Sequence, residues 1–464
     1  MSTLIAISGL GILCLLLEVL NLRKALIPIV LLALTGILGL TIVEYYLGES
    51  LIDIDNYNMI ANTGYSLAFS VLFIILTIFI ILMCPRFYEE DKVKIADYVS
   101  LKIFMLAGAV AMVSFGNMVM FFLGLEVLSI AAYVLAASKP KDTRSNEAGM
   151  KYFIMGAFAS SFILLGIALV YGAIGSFNIA DIVITSSLQA SQLPVWFQLG
   201  FILITVGMMF KAAIVPFHFW APDVYEGSPT LVTAIMSTLV KVAAIGTMFK
   251  IVSILSVAIT PAYETAIIIL SVLTMFVANL TALRQKNIKR MMAFSGITHA
   301  GFMMMSLLAL NTGANTVLYY AAAYSLANIA AFAVITAVCQ GRDNEDANNF
   351  FGLAKKQPVM AVAFACALLS LGGIPVFSGF FAKFFIFDQM IGSNHIVLVV
   401  FGVINSAIAV YYYLRLVNVM FLKPVETKEV VKTPAEYKFV AVAAVILLLV
   451  LGVFPSIIMG LELL

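Results

Sequence analysis

The chain has 464 residues, of which 63% are hydrophobic and only 11% are charged, and its formal net charge is +2. A soluble domain is about 45–50% apolar and about 25% charged, and one core could not bury so much apolar surface. The composition therefore excludes a soluble enzyme, a disordered chain and a nucleic-acid-binding protein, and it predicts an all-α polytopic membrane protein.

Fourteen apolar segments follow one another along the chain, each near the length of about 20 residues that crosses a bilayer as a helix. The first seven cover 2–21, 25–46, 65–85, 97–114, 117–137, 149–174 and 194–218. The second seven cover 229–255, 262–283, 288–310, 314–340, 358–391, 395–421 and 439–460. Residues 1–20 have no preceding basic region, so we expect a retained helix and not a cleaved signal.

Basic residues are concentrated in the loops that follow odd-numbered spans. Nineteen of the 26 Lys and Arg side chains lie there: Arg23, Lys24, Arg86, Lys92, Lys94, Lys139, Lys141, Arg144, Arg284, Lys286, Lys289, Arg290, Arg342, Lys355, Lys356, Lys423, Lys428, Lys432 and Lys438. The opposite loops carry only Lys250, and the loop at 47–64 carries Glu49, Asp53 and Asp55 instead. Because basic loops stay in the cytoplasm, this asymmetry predicts that both termini face the outer, periplasmic side.

Six of the ionisable side chains inside predicted spans are candidate functional residues, because a charge there is costly unless it is paired or hydrated. They are Glu126 in span five, Lys151 in span six, Lys211 in span seven, Lys241 in span eight, His299 in span ten and Lys383 in span twelve. Burial disfavours the charged form of a lysine and a nearby carboxylate favours it, so these groups suit a proton relay. A static Glu126–Lys211 ion pair, a snorkelling Lys151 and a His299 that only fills a polar position stay open as alternatives.

Two of the spans contain a proline close to a lysine. Pro216 follows Lys211 by five residues, and Pro375 precedes Lys383 by eight. Proline interrupts a helix, and interrupted helices build ion sites in many transporters. We therefore predict discontinuous helices at spans seven and twelve.

The breaks lie five spans apart, an odd offset that reverses orientation, as an inverted repeat requires. Spans four to eight are predicted to match spans nine to thirteen, with Lys211 and Lys383 in loosely corresponding places. The predicted divisions are 1–96 for the first three helices, 97–255 and 256–421 for the two repeats, and 422–464 for a loop and the last helix.

Four stretches of the sequence resemble the antiporter-like, proton-translocating subunits of respiratory complex I and of Mrp-type cation/proton antiporters. They are 122–126 (FLGLE), 210–229 (FKAAIVPFHFWAPDVYEGSP), 287–301 (NIKRMMAFSGITHAG) and 372–383 (GGIPVFSGFFAK). The resemblance runs across spans five to twelve and is most specific around Lys211. It implies that Glu126 pairs with and modulates Lys211, and that Lys151 is an auxiliary charge near Glu126.

Within this family the chain is most similar to one antiporter-like subunit of the bacterial NADH–quinone oxidoreductase. It is short, without the lateral helix of the L subunit, and it has Lys383 where the M subunit is expected to carry glutamate. Lys241 stands where the L subunit is expected to carry histidine. The resemblance implies that Lys241, helped by His299, is the central relay and that Lys383 is the terminal donor towards the outer face.

The resemblance also implies partners and location. We expect a multi-pass subunit of the bacterial inner membrane, placed between the M-like and small K-like subunits and held by the lateral helix of the L-like subunit. It implies no cofactor in this chain, since NADH, FMN, iron–sulfur clusters and quinone belong to partner subunits. The four cysteines lack CxxC spacing and the three histidines lie on separate segments, so we predict no metal site.

Three alternatives stay open from the sequence. The chain could be an Mrp-type Na⁺/H⁺ antiporter subunit, which exchanges ions without a redox reaction. It could be a structural subunit that conducts no protons. A relative in a membrane-bound hydrogenase is also compatible with these motifs.

Overall fold

The computed structural model describes residues 1–52, 55, 57–89, 95–190, 192–342, 344–423 and 433–463. Within them the regular structure is helical, and no β-strand is formed. Some charges used for the predicted orientation lie outside the described residues, namely Asp53, Lys92, Lys94, Lys428 and Lys432.

Twenty α-helices follow one another in the described part of the chain. The first ten are α1 (Ser2–Val19), α2 (Arg23–Leu47), α3 (Gly64–Phe87), α4 (Ile95–Val113), α5 (Met118–Ala136), α6 (Thr143–Ile174), α7 (Ile179–Leu188), α8 (Val195–Ala212), α9 (Trp220–Gly227) and α10 (Thr230–Ile235). The others are α11 (Lys241–Ile254), α12 (Pro261–Ala282), α13 (Ile288–Met304), α14 (Leu310–Cys339), α15 (Leu353–Lys356), α16 (Pro358–Gly372), α17 (Ser378–Gly392), α18 (Ile396–Leu422), α19 (Ala435–Val453) and α20 (Ser456–Met459).

The membrane spans agree with the predicted fold class. Among the described residues, 13 helical segments are long and apolar enough to cross a membrane, counting Thr230–Ile254 as one. The predicted twelfth span is present as α16 and α17, two helices of 15 residues each. The orientation of the helices, and with it the outward position of both termini, stays a prediction, as do the domain boundaries at 96, 255 and 421.

Three central spans form the core of the molecule. The most apolar 18-residue stretches of Thr230–Ile254 and Leu310–Cys339 are fully buried inside the chain. In the most apolar 18-residue stretch of Ile288–Leu308, 94% of the residues are buried. By contrast, only 28% of the residues are buried in the corresponding 18-residue stretch of α2. A helix that is buried all round needs no polar face, so polar residues on these central helices call for a specific explanation.

The first predicted interruption ends α8 close to Pro216. Ala213 follows the helix with a left-handed backbone, φ 60°. The Ile214 N–H then donates to the Met209 carbonyl over 2.9 Å, the six-to-one bond of a Schellman ending. Pro216 cannot continue the helix, and the chain becomes helical again only at α9.

The second interruption, between α16 and α17, repeats this geometry. Gly373 is left-handed, φ 83°, and the Ile374 N–H donates to the Leu369 carbonyl over 3.0 Å. The same hydrogen-bond pattern at both breaks agrees with the predicted repeat. The two lysines are not at equivalent positions, however. Lys211 lies two residues before Ala213, the left-handed residue of the first break. Lys383 lies ten residues after Gly373, the left-handed residue of the second break, and so corresponds to Asp223 in the first half.

A third helix irregularity was not predicted from the sequence. Residues Met236–Val240 form a short π-helix between α10 and α11, and Lys241 follows directly. Such π segments are rare and are frequent at functional sites. Lys211 and Lys241 therefore each lie within two residues of a departure from regular α-helix.

Ten of the bases that we assigned to loops lie in helices, namely Arg23, Lys24, Arg86, Arg144, Lys250, Lys289, Arg290, Lys355, Lys356 and Lys438. Lys250 belongs to α11, where its Nζ donates to the carbonyls of Val113 and Phe115 over 2.9 and 2.8 Å. Lys289 and Arg290 belong to the first turn of α13. The loop interpretation was wrong for these residues because hydropathy locates a span but not the turn at which its helix begins.

Candidate functional site

Lys211 lies in the last turn of α8 and is 3% exposed. Its Nζ donates to Ser129 Oγ over 2.8 Å and to Tyr133 OH over 2.9 Å. Both partners belong to α5, one turn apart, so they face the same neighbour. The ammonium also lies 5.4 Å from the centre of the Tyr133 ring, where a cation is attracted to the ring face.

Glu126 lies on α5, one turn before Ser129, but it does not pair directly with Lys211. No Glu126–Lys211 ion pair occurs within the described structure, and the pairing that the resemblance implies stays a prediction. One carboxylate oxygen, Oε1, is buried without a hydrogen-bond partner. The residue is half-buried, beside the exposed side chains of Val127 and Leu123, and so lies at the edge of this chain.

Lys151 lies in an ion-pair network away from Glu126. Its Nζ is 2.7 Å from Glu147 Oε1 and 2.9 Å from Asp223 Oδ2. Asp223, on α9, also accepts a hydrogen bond of 2.8 Å from Arg290 on α13. These ion pairs join α6 to α9 and, through Asp223, to α13, and a role of Lys151 as an auxiliary charge near Glu126 stays a prediction.

Lys241 is the most isolated of the buried lysines. It is 2% exposed, and its Nζ has no hydrogen-bond partner among the described residues. The nearest aromatic face is that of Tyr225, whose centre is 6.0 Å from the ammonium. Buried polar atoms are paired in the great majority of cases, so this amine stands ready to bind water or another proton carrier.

His299 is 4% exposed and is held at both ring nitrogens. Its Nδ1 lies 2.7 Å from Tyr320 OH and its Nε2 lies 3.3 Å from Tyr413 OH. Tyr413 OH in turn is hydrogen-bonded to Ser295 Oγ. Since a hydroxyl can donate or accept, both imidazole tautomers fit this setting, and a proton can enter at one nitrogen and leave at the other.

Lys383 caps a helix end. Its Nζ donates to the carbonyls of Leu371 and Gly372 over 3.1 and 3.0 Å. These are final carbonyls of α16, which have no partner within their own helix and carry its negative dipole end. The ammonium also lies 5.2 Å from the centre of the Phe302 ring.

Two buried charged residues were missed by the sequence analysis. Lys102 is fully buried on α4, and its Nζ donates to Tyr88 OH and the Tyr98 carbonyl over 2.9 and 3.1 Å. Glu44, fully buried on α2, accepts from Thr3 Oγ1 over 2.9 Å. Both lie within a few residues of a predicted span end, where a charged side chain is expected to reach water. Only tertiary packing distinguishes them from snorkelling residues.

The candidate site as a whole is a set of amine, imidazole and hydroxyl groups on adjoining central helices. Such groups take up and release protons. Within the described residues no group of three or more His, Cys, Asp or Glu side chains could hold a metal ion. The amine, imidazole and hydroxyl groups therefore suit proton transfer through the interior.

Comparison with known proteins gives concordant results. Residues 116–409 match the family described as NADH:quinone oxidoreductase/Mrp antiporter, TM. The chain is 53% identical to the NADH-quinone oxidoreductase subunit N of Flavobacterium johnsoniae over 468 aligned positions, which cover 99% of this chain and 100% of that protein.

Solved structures show the same fold. A chain of respiratory complex I from Thermus thermophilus with bound aureothin is 30% identical, with a TM-score of 0.83, and the match covers 99% of this chain and 98% of that one. A chain of the Mrp complex from Dietzia sp. has a TM-score of 0.82 over 99% of this chain and 95% of that one. Its identity is 21%, so this second likeness is one of fold alone.

Proposed function

The chain belongs to the subunit N family of NADH–quinone oxidoreductases, and on that premise we propose that its buried lysines and histidine carry the protons that the complex translocates. It is a multi-pass membrane subunit of an enzyme complex, and its relatives in solved structures are parts of membrane assemblies. In this proposal Lys211, Lys241, His299 and Lys383 are the relay.

One observation carries the proposal: the Lys383 ammonium occupies the carbonyl end of the broken helix α16. In transporters with interrupted helices, the C-terminal end of a half-helix and its unwound carbonyls coordinate the coupling ion. Here a cation fixed to the chain takes that position. A lysine can exchange a proton at such a site but cannot leave it, which favours protons over Na⁺ as the transported ion.

The other groups suit successive steps of the same transfer. Lys211 rests on two hydroxyls of α5, which are neutral partners that can hold either protonation state. Lys241 has no competing partner for its Nζ, and His299 offers two hydrogen-bonded nitrogens. We assign Lys241 with His299 the central relay and Lys383 the terminal step towards the outer face.

Glu126 and Lys151 receive roles outside the relay itself. Glu126, with an unpaired carboxylate oxygen at the edge of the chain, modulates Lys211 through its charge and not through contact. Lys151 positions α9 through Asp223.

The proposal extends to partners and location. We place the chain in the bacterial inner membrane, between M-like and K-like subunits and under the lateral helix of an L-like subunit. NADH, FMN, iron–sulfur clusters and quinone are assigned to partner chains, whose redox reactions drive the relay.

The proposal is tested with the assembled complex in inverted membrane vesicles. NADH-driven quinone reduction and acidification of the lumen are measured together for Lys211→Met, Lys241→Met and Lys383→Met. We expect each variant to assemble and to lose acidification relative to electron transfer. Lys102→Met is the matched control, since Lys102 is also a buried lysine but contacts only Tyr88 and Tyr98 among the groups described here.

The alternatives give other outcomes. Full acidification in all three variants would leave the chain a structural subunit. Acidification that requires Na⁺ and is abolished by a sodium ionophore would indicate Na⁺/H⁺ exchange of the Mrp type.

A further inference from the structure

Lys250, on α11, holds the carbonyl end of α4. Its Nζ donates to the carbonyls of Val113, the last residue of α4, and of Phe115 over 2.9 and 2.8 Å. Thr247, three residues earlier on α11, donates to the Met112 carbonyl over 3.2 Å. The last carbonyls of a helix have no partner within it and carry the negative end of its dipole, so a cation stabilises them. Thr247 and Lys250 are called the first clamp below.

Arg415, on α18, holds the end of α12 in a similar way. Its Nη1 donates to the carbonyl of Leu283, which directly follows α12, over 2.7 Å. Its Nη2 donates to the Gln285 carbonyl over 3.0 Å. Tyr412, three residues earlier on α18, donates to Asn279 Oδ1 on α12 over 3.2 Å. Tyr412 and Arg415 are called the second clamp below.

The two clamps correspond to each other in the predicted repeat. The first joins span eight to span four, and the second joins span thirteen to span nine, five spans further along. In each clamp a cation binds two carbonyls that lie two residues apart, and a hydroxyl donor stands three residues before the cation. Unrelated packing contacts have no reason to share this arrangement, so it indicates a common role in the two halves.

The first clamp acts on the helix that carries Lys241. Lys241 lies nine residues before Lys250 on α11 and directly after the π-helix Met236–Val240. Hydrogen bonds in a π-helix span one residue more than in an α-helix, so α10 does not set the rotation of α11 by regular helix geometry. The Lys241 Nζ has no hydrogen bond within the described structure that could direct it. The contacts of the clamp with α4 therefore fix the rotation of α11 from its other end.

The second clamp acts on the helix that carries a partner of His299. Tyr413 lies next to Tyr412 and two residues before Arg415. Its OH lies 3.3 Å from His299 Nε2 and is hydrogen-bonded to Ser295 Oγ. Only 33% of the residues are buried in the most apolar 18-residue stretch of α18, so packing within this chain constrains α18 less than the central helices. Arg415 supplies a fixed point close to the tyrosine.

We propose that Lys250 and Arg415 are positioning residues for proton transfer, one in each half of the chain. Lys250 holds α11 so that Lys241 faces its proton partner, and Arg415 holds α18 so that Tyr413 meets His299. Both cations keep their protons throughout. This inference rests on the proposed function and adds the residues that hold its relay in place. A misplacement of about 1 Å slows a reaction by up to about a hundredfold, so the loss of a clamp is measurable.

Lys250 is tested with a neutral and a charged replacement. In vesicles with the assembled complex, we expect about tenfold slower acidification per quinone reduced for Lys250→Met and rates near those of the parent complex for Lys250→Arg. Arginine does not release its proton in proteins, so its rescue separates a positioning cation from a proton carrier. Lys241→Arg, at a proposed carrier, is expected to stop acidification. Lys102→Met is the control, because the Lys102 Nζ donates to the Tyr98 carbonyl of its own helix.

Thr247 gives a milder test of the same clamp. Thr247→Val keeps the shape of the side chain and removes the donor to the Met112 carbonyl, and we expect about threefold slower acidification per quinone reduced. Thr77→Val is the matched control, since that buried hydroxyl bonds to the Phe73 carbonyl of its own helix. Where Lys250→Met does not assemble, this variant decides: a parent rate in Thr247→Val overturns the role of the first clamp.

A double-mutant cycle tests the second clamp. Tyr413→Phe removes the hydroxyl that meets His299, and we expect about tenfold slower acidification for it and for Arg415→Met, with near-parent rates for Arg415→Lys. If Arg415 acts through Tyr413, the double variant Arg415→Met/Tyr413→Phe is no slower than Tyr413→Phe alone. Effects that multiply to about a hundredfold would show that Arg415 acts elsewhere and would overturn its positioning role.

The outcomes distinguish this inference from the proposed function. If Lys241→Met stops acidification while assembled Lys250→Met and Arg415→Met complexes match the parent, the positioning roles are wrong and the relay stands. A Lys250→Arg complex that assembles and does not acidify would make Lys250 a proton carrier, which also overturns the inference. If Lys241→Met has no effect, the proposed function itself fails.

Discussion

The Lys383 Nζ lies 3.0 Å from the carbonyl oxygen of Gly372, the last residue of α16, although the two residues belong to different halves of an interrupted helix. The ammonium replaces the backbone donor that an unbroken helix would supply. If Lys383 carries protons as we propose, proton transfer and the closure of the break depend on the same side chain.

This dual role predicts different defects for two substitutions. Arginine keeps a cation at the carbonyl end but does not lose its proton in proteins, so Lys383→Arg is expected to assemble and to be unable to translocate. Lys383→Met removes both functions, and we expect lower thermal stability in addition. Thermal unfolding of the purified complex and vesicle acidification together check the pair. Translocation by the arginine variant would exclude Lys383 as a proton carrier.

The two hydroxyls that hold Lys211 predict a graded response. Tyr133→Phe and Ser129→Ala each remove one acceptor from the buried ammonium, and losing one costs about 1–3 kcal/mol. Each single variant is expected to slow acidification, and the double variant is expected to stop it. Tyr46→Phe, at an 80% exposed tyrosine, is the control. Single variants that match the parent would mean that Lys211 does not need these partners.

The Asp223 network predicts a mechanical effect on α9. Asp223 bonds both Lys151 and Arg290, whereas Glu147 bonds Lys151 alone. Partly exposed ion pairs contribute about 1 kcal/mol or less, so Asp223→Asn is expected to cost little stability yet to loosen α9 from α6 and α13. Hydrogen exchange of the backbone amides in 220–227 checks this. Equal exchange in Asp223→Asn and Glu147→Gln would contradict the bridging role.

The sequence predicted those features that depend on local chemistry. Apolar length located the spans, and Pro216 and Pro375 marked the two interrupted helices because proline cannot continue a helix. The π-helix before Lys241 has no such signal, since Met236–Val240 contains neither proline nor glycine. Which polar groups meet is decided by packing between helices. Hence the sequence did not indicate that Ser129 and Tyr133 are the hydrogen-bond partners of Lys211.

The acids Glu44 and Glu126 give the last prediction, because their carboxylate oxygens differ in the number of hydrogen bonds that they accept. Glu44 accepts from Thr3 Oγ1, from Ser2 and from the Leu51 N–H, which ties the start of α1 to α2 and the loop after it. Glu126 leaves one oxygen unpaired.

Glutamine keeps the shape of either side chain and removes only the charge. We expect Glu44→Gln to lower the thermal stability of the complex, since hydrogen bonds to a charged group are worth about 1.5–3 kcal/mol, without changing acidification per quinone reduced. Glu126→Gln should do the reverse, because its carboxylate acts on Lys211 through its field and supports little of the local structure. Unfolding temperature and vesicle acidification, measured for both variants, separate the two roles. A Glu126→Gln complex that is unstable but translocates normally would place that carboxylate among the structural residues.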